Sequence, residues 1–148
     1  SACRSGTTTR FWTGDADQDL IQAGWFGSNS GGRTHAAGEL KANPFGLSDV
    51  HGNVWEWVQD GWDPAFYGKF KEDAAINPSS PFSAGSRRVF RGGDWRYSLS
   101  LWRSSCRSSN SHAPTPTYRD NYIGFRVVLV AEAVQQQLAQ KPADSPQP

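Results

Sequence analysis

The sequence predicts an α+β domain built from short strands and long ordered loops. Three observations carry this expectation. Seven tryptophans, eight phenylalanines and four tyrosines sit in a polar chain with 15 glycines and 9 prolines, a mixture suited to turns and loops anchored by large rings. Apolar positions alternate over short runs, as half-buried strands do, and long helices are not expected. No segment repeats at a fixed period, which excludes solenoids and propellers. At 148 residues the chain has length for one core and too little for two comfortable ones.

Charge excludes some partners. Fifteen basic and fourteen acidic residues leave a formal net charge of +1 without a long run of either sign, so nucleic acid and anionic membrane surfaces are not expected partners. No apolar stretch approaches the roughly 18–20 residues that cross a bilayer, so membrane insertion is not expected, and "SACRSGTTTRF" lacks the apolar centre of a signal peptide. The chain reads as soluble, with any targeting information lying elsewhere.

Residues 1–42 read as coil punctuated by turns, with a short helical turn in "DADQDLIQA" capped by its leading aspartate. "NPFGLSDVHGN" is turn chemistry, and "VWEWVQD" alternates as a strand, placing Trp55 and Trp57 on one face and Val54, Glu56 and Val58 on the other. Asp63 and Pro64 start a turn of helix in "DPAFYGKF". "RRVFRGGDW" and "LWRSSCR" read as two further strands, and "YIGFRVVLV" as a final buried one. Residues 1–130 are thus the domain. Residues 131–148 change character, to a short helix in "AEAVQQQLAQ" and a proline-rich tail with no means of packing.

Two cysteines, Cys3 and Cys106, have neither a CxxC partner nor a histidine cluster, so zinc is a poor reading. They are either two unrelated thiols or a disulfide closing a loop of about 100 residues, a closure that chain entropy values at up to roughly 4–5 kcal/mol. His35, His51 and His112 are scattered in loops, and no nucleophile elbow, P-loop or dinucleotide fingerprint is present.

Three stretches together, "NPFGLSDVHGNVWEW", "RVFRGGDW" and "RDNYIGFRVV", preceded by "ACRSGTTTRFWTGD" and "NSGGRTH", resemble the formylglycine-generating enzyme or sulfatase-modifying factor family. The resemblance runs from Ala2 to about Leu129 and implies a C-type-lectin-like fold rich in irregular structure. Family members carry a further N-terminal half, so the resemblance also implies, as a partner, a separate chain supplying that half, unless this is a minimal version of the fold. It implies a calcium site with Asp49 and Glu56 as side-chain ligands and Gly52 and Val54 as carbonyl ligands. Two carboxylates around a glycine turn suit the 6–8 oxygens that calcium takes; the alternative is that both carboxylates only cap the loop. A second family calcium site maps near "QAGWFGSN", where Gly24 replaces the implied asparagine, which leaves that site doubtful.

The family's chemistry requires two thiolates that hold copper(I). The resemblance places the first at Tyr97 and the second between Leu99 and Trp102, and none of these is cysteine. Asp94 stands where the family has a serine. No copper is therefore expected, nor is an enzyme of this kind. The same resemblance places Cys106 near the family's half-cystine opposite Cys3, implying a disulfide and an extracytoplasmic setting. A related iron-dependent branch uses histidines from an additional domain that these residues do not include.

What remains is the polar and aromatic segment between "RGGDW" and "IGFR". Asp94, Arg96, Tyr97, Trp102, Arg103, Tyr118 and Arg119 are of the types that give rigid contact area with adaptable hydrogen bonds, and loops on a scaffold commonly carry function. They predict a surface for a protein, peptide or glycan ligand. The competing view is that Trp102 and Tyr118 are loop anchors, while Arg103, Arg107 and Arg126 form internal ion pairs. Two further alternatives are a copper- or iron-dependent oxidase acting with the missing half, and a recognition protein diversified by a retroelement.

Overall fold

The computed structural model describes residues 2–66, 68, 79–81, 87–98 and 115–128. The strand expected over "LWRSSCR" and the expectations for residues 131–148 lie outside them. The described elements are one helical turn, α1 (Asp17–Leu20), and three strands, β1 (Trp55–Gly61), β2 (Arg88–Arg91) and β3 (Ile123–Phe125). This is a mixed α+β arrangement in which irregular backbone dominates. No described helix is long and apolar enough to cross a membrane.

β1 is the central strand of the order β2-β1-β3. It runs antiparallel to β2, with Glu56 opposite Arg91 and Trp57 opposite Phe90, and parallel to β3, with Trp55 opposite Ile123 and Glu56 opposite Gly124. The β1–β2 register slips between Trp57 and Gly61, as a bulge does. Beyond it, the amides of Gly61 and Trp62 donate to the carbonyls of Ser80 and Arg87.

The alternation expected of "VWEWVQD" holds. The Trp55 and Trp57 rings both meet Phe90, at 4.8 and 5.5 Å between centroids. Trp55, Val89 and Phe90 are buried. A second core group joins Phe11, Leu20 and Phe26, with His51 fully buried and edge-on to Phe11 at 5.5 Å.

Three boundaries differ from the sequence expectation. "RRVFRGGDW" ends as a strand at Arg91, because Gly92 and Gly93 take φ of 104° and 80° and turn the chain. Among the described residues, the strand expected over "YIGFRVVLV" contains only Ile123–Phe125, and Phe125, Val127 and Val128 are exposed, so these side chains do not form the expected buried strand. Asp15 does not cap α1, since its Oδ1 accepts from the Arg10 amide at 2.7 Å. The N-cap is Ala16, whose amide donates to Asp19 at 3.0 Å. Asp63 does open a turn as expected, its Oδ1 accepting from the Ala65 amide at 2.9 Å.

Candidate functional site

The segments that looked distinctive in the sequence are stitched together in space. Gly52 donates its amide to the Gly92 carbonyl at 2.7 Å, Asn53 to Trp25 at 2.8 Å, Trp95 to Asn53 at 3.0 Å and Gly27 to Tyr97 at 3.0 Å. The Ser30 hydroxyl donates to the Trp95 carbonyl at 2.8 Å. Asn53 adopts a left-handed φ of 62°, and its side chain clasps the backbone of His35, accepting from the amide and donating to the carbonyl, each at 3.0 Å. The His35 ring stacks on Trp25 at 3.7 Å between centroids. This knot holds two candidate sites in place.

The first is a cleft of about 530 Å³ whose lining includes Asp49, Gly52, Val54 and Glu56 together. Asp49 sits at the unusual φ of 53°. Its Oδ2 accepts from the Gly38 amide at 2.8 Å. Its Oδ1 is buried and has no hydrogen-bond partner among the described residues. A buried carboxylate oxygen without a donor is costly unless a cation supplies the missing interaction; this oxygen suits a hard cation, while the described residues bring no three acidic, histidine or cysteine side chains together, so backbone carbonyls would have to complete any such site. Glu56 faces the same cleft and is paired with Arg126, as the internal ion-pair view of Arg126 anticipates.

The second is an aromatic and charged surface. Asp94 is buried, and its carboxylate accepts from the Arg96 amide at 2.8 Å, from Nε at 3.2 Å and from Nη2 at 2.8 Å. So held, the Arg96 guanidinium carbon lies 3.1 Å from the centre of the Tyr122 ring and 4.9 Å from that of Tyr97. Tyr118 extends the row, 6.4 Å from Tyr122 between ring centres. Its hydroxyl bonds that of Tyr122 and donates to Asp120 at 3.3 Å. Tyr97 and Tyr118 are 38% and 39% exposed, enough ring area to meet a ligand.

Electrostatics follow from these contacts. Partial burial works against the Arg96 charge, but the bonds and charge of Asp94 outweigh it and raise its pKa. The Tyr122 hydroxyl is pushed up, first by its bond to Tyr118 and then by burial and Asp120. For Asp120 desolvation works upward, yet the Asn121 amide and the two tyrosine hydroxyls prevail and hold its carboxyl below the ordinary range. A fixed carboxylate beside three rings and a clamped guanidinium can recognise polar groups.

The description of the sulfatase-modifying factor enzyme 1-like domain matches residues 1–131. The chain belongs to that family. It is 32% identical over 126 residues to the serine/threonine-protein kinase pkn1 of Chlamydia caviae, covering 85% of this chain and 19% of the relative. It is 36% identical over 89 residues to the formylglycine-generating enzyme of Streptomyces coelicolor, covering 58% and 26%. The solved Treponema denticola variable protein 1 superposes with a TM-score of 0.66 at 29% identity, over 84% of this chain and 42% of that one. The chain therefore spans about a quarter or less of the two curated relatives and under half of the structural neighbour.

Placed on this sulfatase-modifying factor scaffold, the residues predicted for a ligand surface divide. Arg96, Tyr97 and Tyr118 are brought into one row, and Arg119 is exposed beside it. Asp94 departs from expectation: it is buried and acts by positioning Arg96. Trp102 and Arg103 lie outside the described residues. Tyr122 and Asp120 were missed, although the spacing of "YRDNY" puts Tyr118, Asp120 and Tyr122 at every second position. Cys3 is half-buried and has no disulfide partner among the described residues, and Cys106 lies outside them. At Gly24 a Cβ would stand 2.5 Å from the His51 carbonyl oxygen, so no larger residue fits there without moving backbone.

Proposed function

We propose that this chain is a calcium-stabilised, non-catalytic sulfatase-modifying factor domain with a C-type-lectin-like fold, acting as a ligand-binding or accessory module. The observation that carries the reading is the row Tyr97–Arg96–Tyr122–Tyr118, a clamped guanidinium among three rings of which Tyr97 and Tyr118 are exposed. Asp94 is fully committed to Arg96 and preorganises the row, and preorganised aromatic and arginine contacts dominate binding energy. The scaffold itself does not fix the activity: stretches similar to this one occur in relatives named as a kinase and as a formylglycine-generating enzyme.

The ligand is a protein, peptide or glycan. A calcium ion in the Asp49–Glu56 cleft would serve as a hard cross-link of the loop to β1, with Gly52 and Val54 supplying carbonyls. A Cys3–Cys106 disulfide belongs to the same proposal, as does a separate chain carrying the remainder of the fold. The similarity to a protein named variable protein 1 favours a second reading, a diversified recognition protein; a template repeat adjoining the gene would support it.

The test pairs two assays. Peptide and glycan arrays probed with the wild type and with Tyr118→Ala should give hits that the variant loses by at least about tenfold, the effect of about 1.4 kcal/mol. The same protein with copper(I), oxygen and a cysteine-containing sulfatase peptide should form no aldehyde. Copper-dependent turnover would replace this reading with the oxidase.

A further inference from the structure

Glu56, one of the two carboxylates on which the calcium reading rests, is already engaged by a cation of the chain itself. Arg126, the residue after β3, donates from Nε to Glu56 Oε2 at 2.6 Å and from Nη2 to Oε1. Its Nη1 and Nη2 also donate to the Ser48 carbonyl, each at 3.2 Å, and Nη2 to the Asp49 carbonyl at 3.2 Å. The fork is bidentate and charge-assisted, the strong form of this pairing. Arg126 nonetheless leaves the buried Asp49 Oδ1 without a partner.

We propose that Arg126 is a built-in competitor for the metal in this cleft: calcium and the guanidinium exchange on Glu56, and the exchange couples metal binding to β3. The inference rests on the calcium reading above. A calcium ion needs oxygens at about 2.3–2.6 Å, so it can take Glu56 only by drawing at least one oxygen from the fork. The guanidinium has no acceptor and does not deprotonate, so it cannot join the coordination shell and repels the incoming dication. Both carboxylates line the same cleft, so a calcium ion there would meet the need of Asp49 Oδ1 that the guanidinium leaves open.

Without metal, Arg126 neutralises Glu56 and fastens the end of β3 to the loop at Ser48 and Asp49. With metal, its side chain, already 36% exposed, turns further to solvent. Gly124 pairs with Glu56 across β1 and β3, two residues before Arg126, so release of the fork is transmitted directly to the β3 edge where Phe125, Val127 and Val128 are exposed.

Terbium(III), excited through the neighbouring tryptophans, reports metal binding, and calcium competition gives the calcium affinity. Arg126→Gln should bind calcium about tenfold more tightly than the wild type, within the usual range of coupling between two bound groups, and should melt at a lower temperature in chelator. Arg126→Lys, which keeps a charge but loses the fork, should fall between them and serves if Arg126→Gln does not fold. Equal or weaker calcium affinity in the folded variants overturns the competition while leaving the calcium reading standing. Failure of all three proteins to bind terbium overturns the calcium reading and this inference together.

Discussion

The amide of Gly52 donates to the carbonyl of Gly92 at 2.7 Å, and this bond joins the loop that leads into β1 to the glycine pair that ends β2. It exists because Gly52 takes a φ of 72° and because nothing larger fits: a Cβ there would lie 2.5 Å from the Trp25 carbonyl oxygen and 2.7 Å from the Phe26 ring. The glycines of "DVHGN" and "RGGDW" are therefore two sides of one contact.

Gly52→Ala should consequently destabilise by about 2–4 kcal/mol, combining left-handed strain with a clash against backbone. Gly31→Ala is the control, since Gly31 has a φ of 63° but open space around it, and it should lose only about 1–2 kcal/mol. Urea unfolding of the two variants measures the difference. Equal losses would mean that backbone strain alone, and not the close approach, governs Gly52.

Phe90 is 3% exposed and touches both Trp55 and Trp57. Phe90→Ala should cost about 3–5 kcal/mol and reduce the near-ultraviolet circular dichroism of the tryptophans before any loss of secondary structure. A loss under about 1 kcal/mol would show that the two indoles pack without it.

This part of the fold was legible in the sequence because period-two alternation is a local signal. "VWEWVQD" gave the strand to within one residue and the shared face of Trp55 and Trp57. The ends of β2 and β3 were less legible, because both follow from backbone events that hydropathy does not record. Gly92 and Gly93 divert one chain by positive φ, and Arg126 leaves β3 to reach Glu56, seventy residues back. The aromatic and arginine row was half legible. Residue types pointed to Arg96, Tyr97 and Tyr118, but the burial of Asp94 and the place of Tyr122 depend on a contact between loops distant in sequence.

Tyr122 yields a pH prediction. Its hydroxyl is raised above the ordinary value of 10.0, so its contribution to stability is fully present below pH 10 and is lost as pH climbs through the higher folded value. After a rapid jump to alkaline pH, absorbance at the phenolate band should show a tyrosine that ionises late, and Tyr122→Phe should abolish that phase. If every phenol of the folded protein ionises together near 10, the bond between Tyr118 and Tyr122 does not hold the proton.

Calcium should raise the melting temperature and chelator should lower it. A ligand bound only by the folded state stabilises by about 2.7 kcal/mol at a hundredfold excess over its dissociation constant, which for a domain of this size corresponds to roughly 5–10 °C. Glu56→Gln should blunt the response, because a neutral amide is a weaker ligand for a hard ion than a carboxylate. Asp49→Asn should do the same in calcium, yet in chelator it should be neutral or stabilising, since it removes the charge from a carboxylate whose buried Oδ1 has no donor. Gly24→Asn should add no second ion, because its Cβ meets the His51 carbonyl at 2.5 Å, and it should lower stability with or without calcium. An unchanged melting temperature in chelator, joined to a destabilising Asp49→Asn, would make Asp49 a loop cap bonded to the Gly38 amide and nothing more.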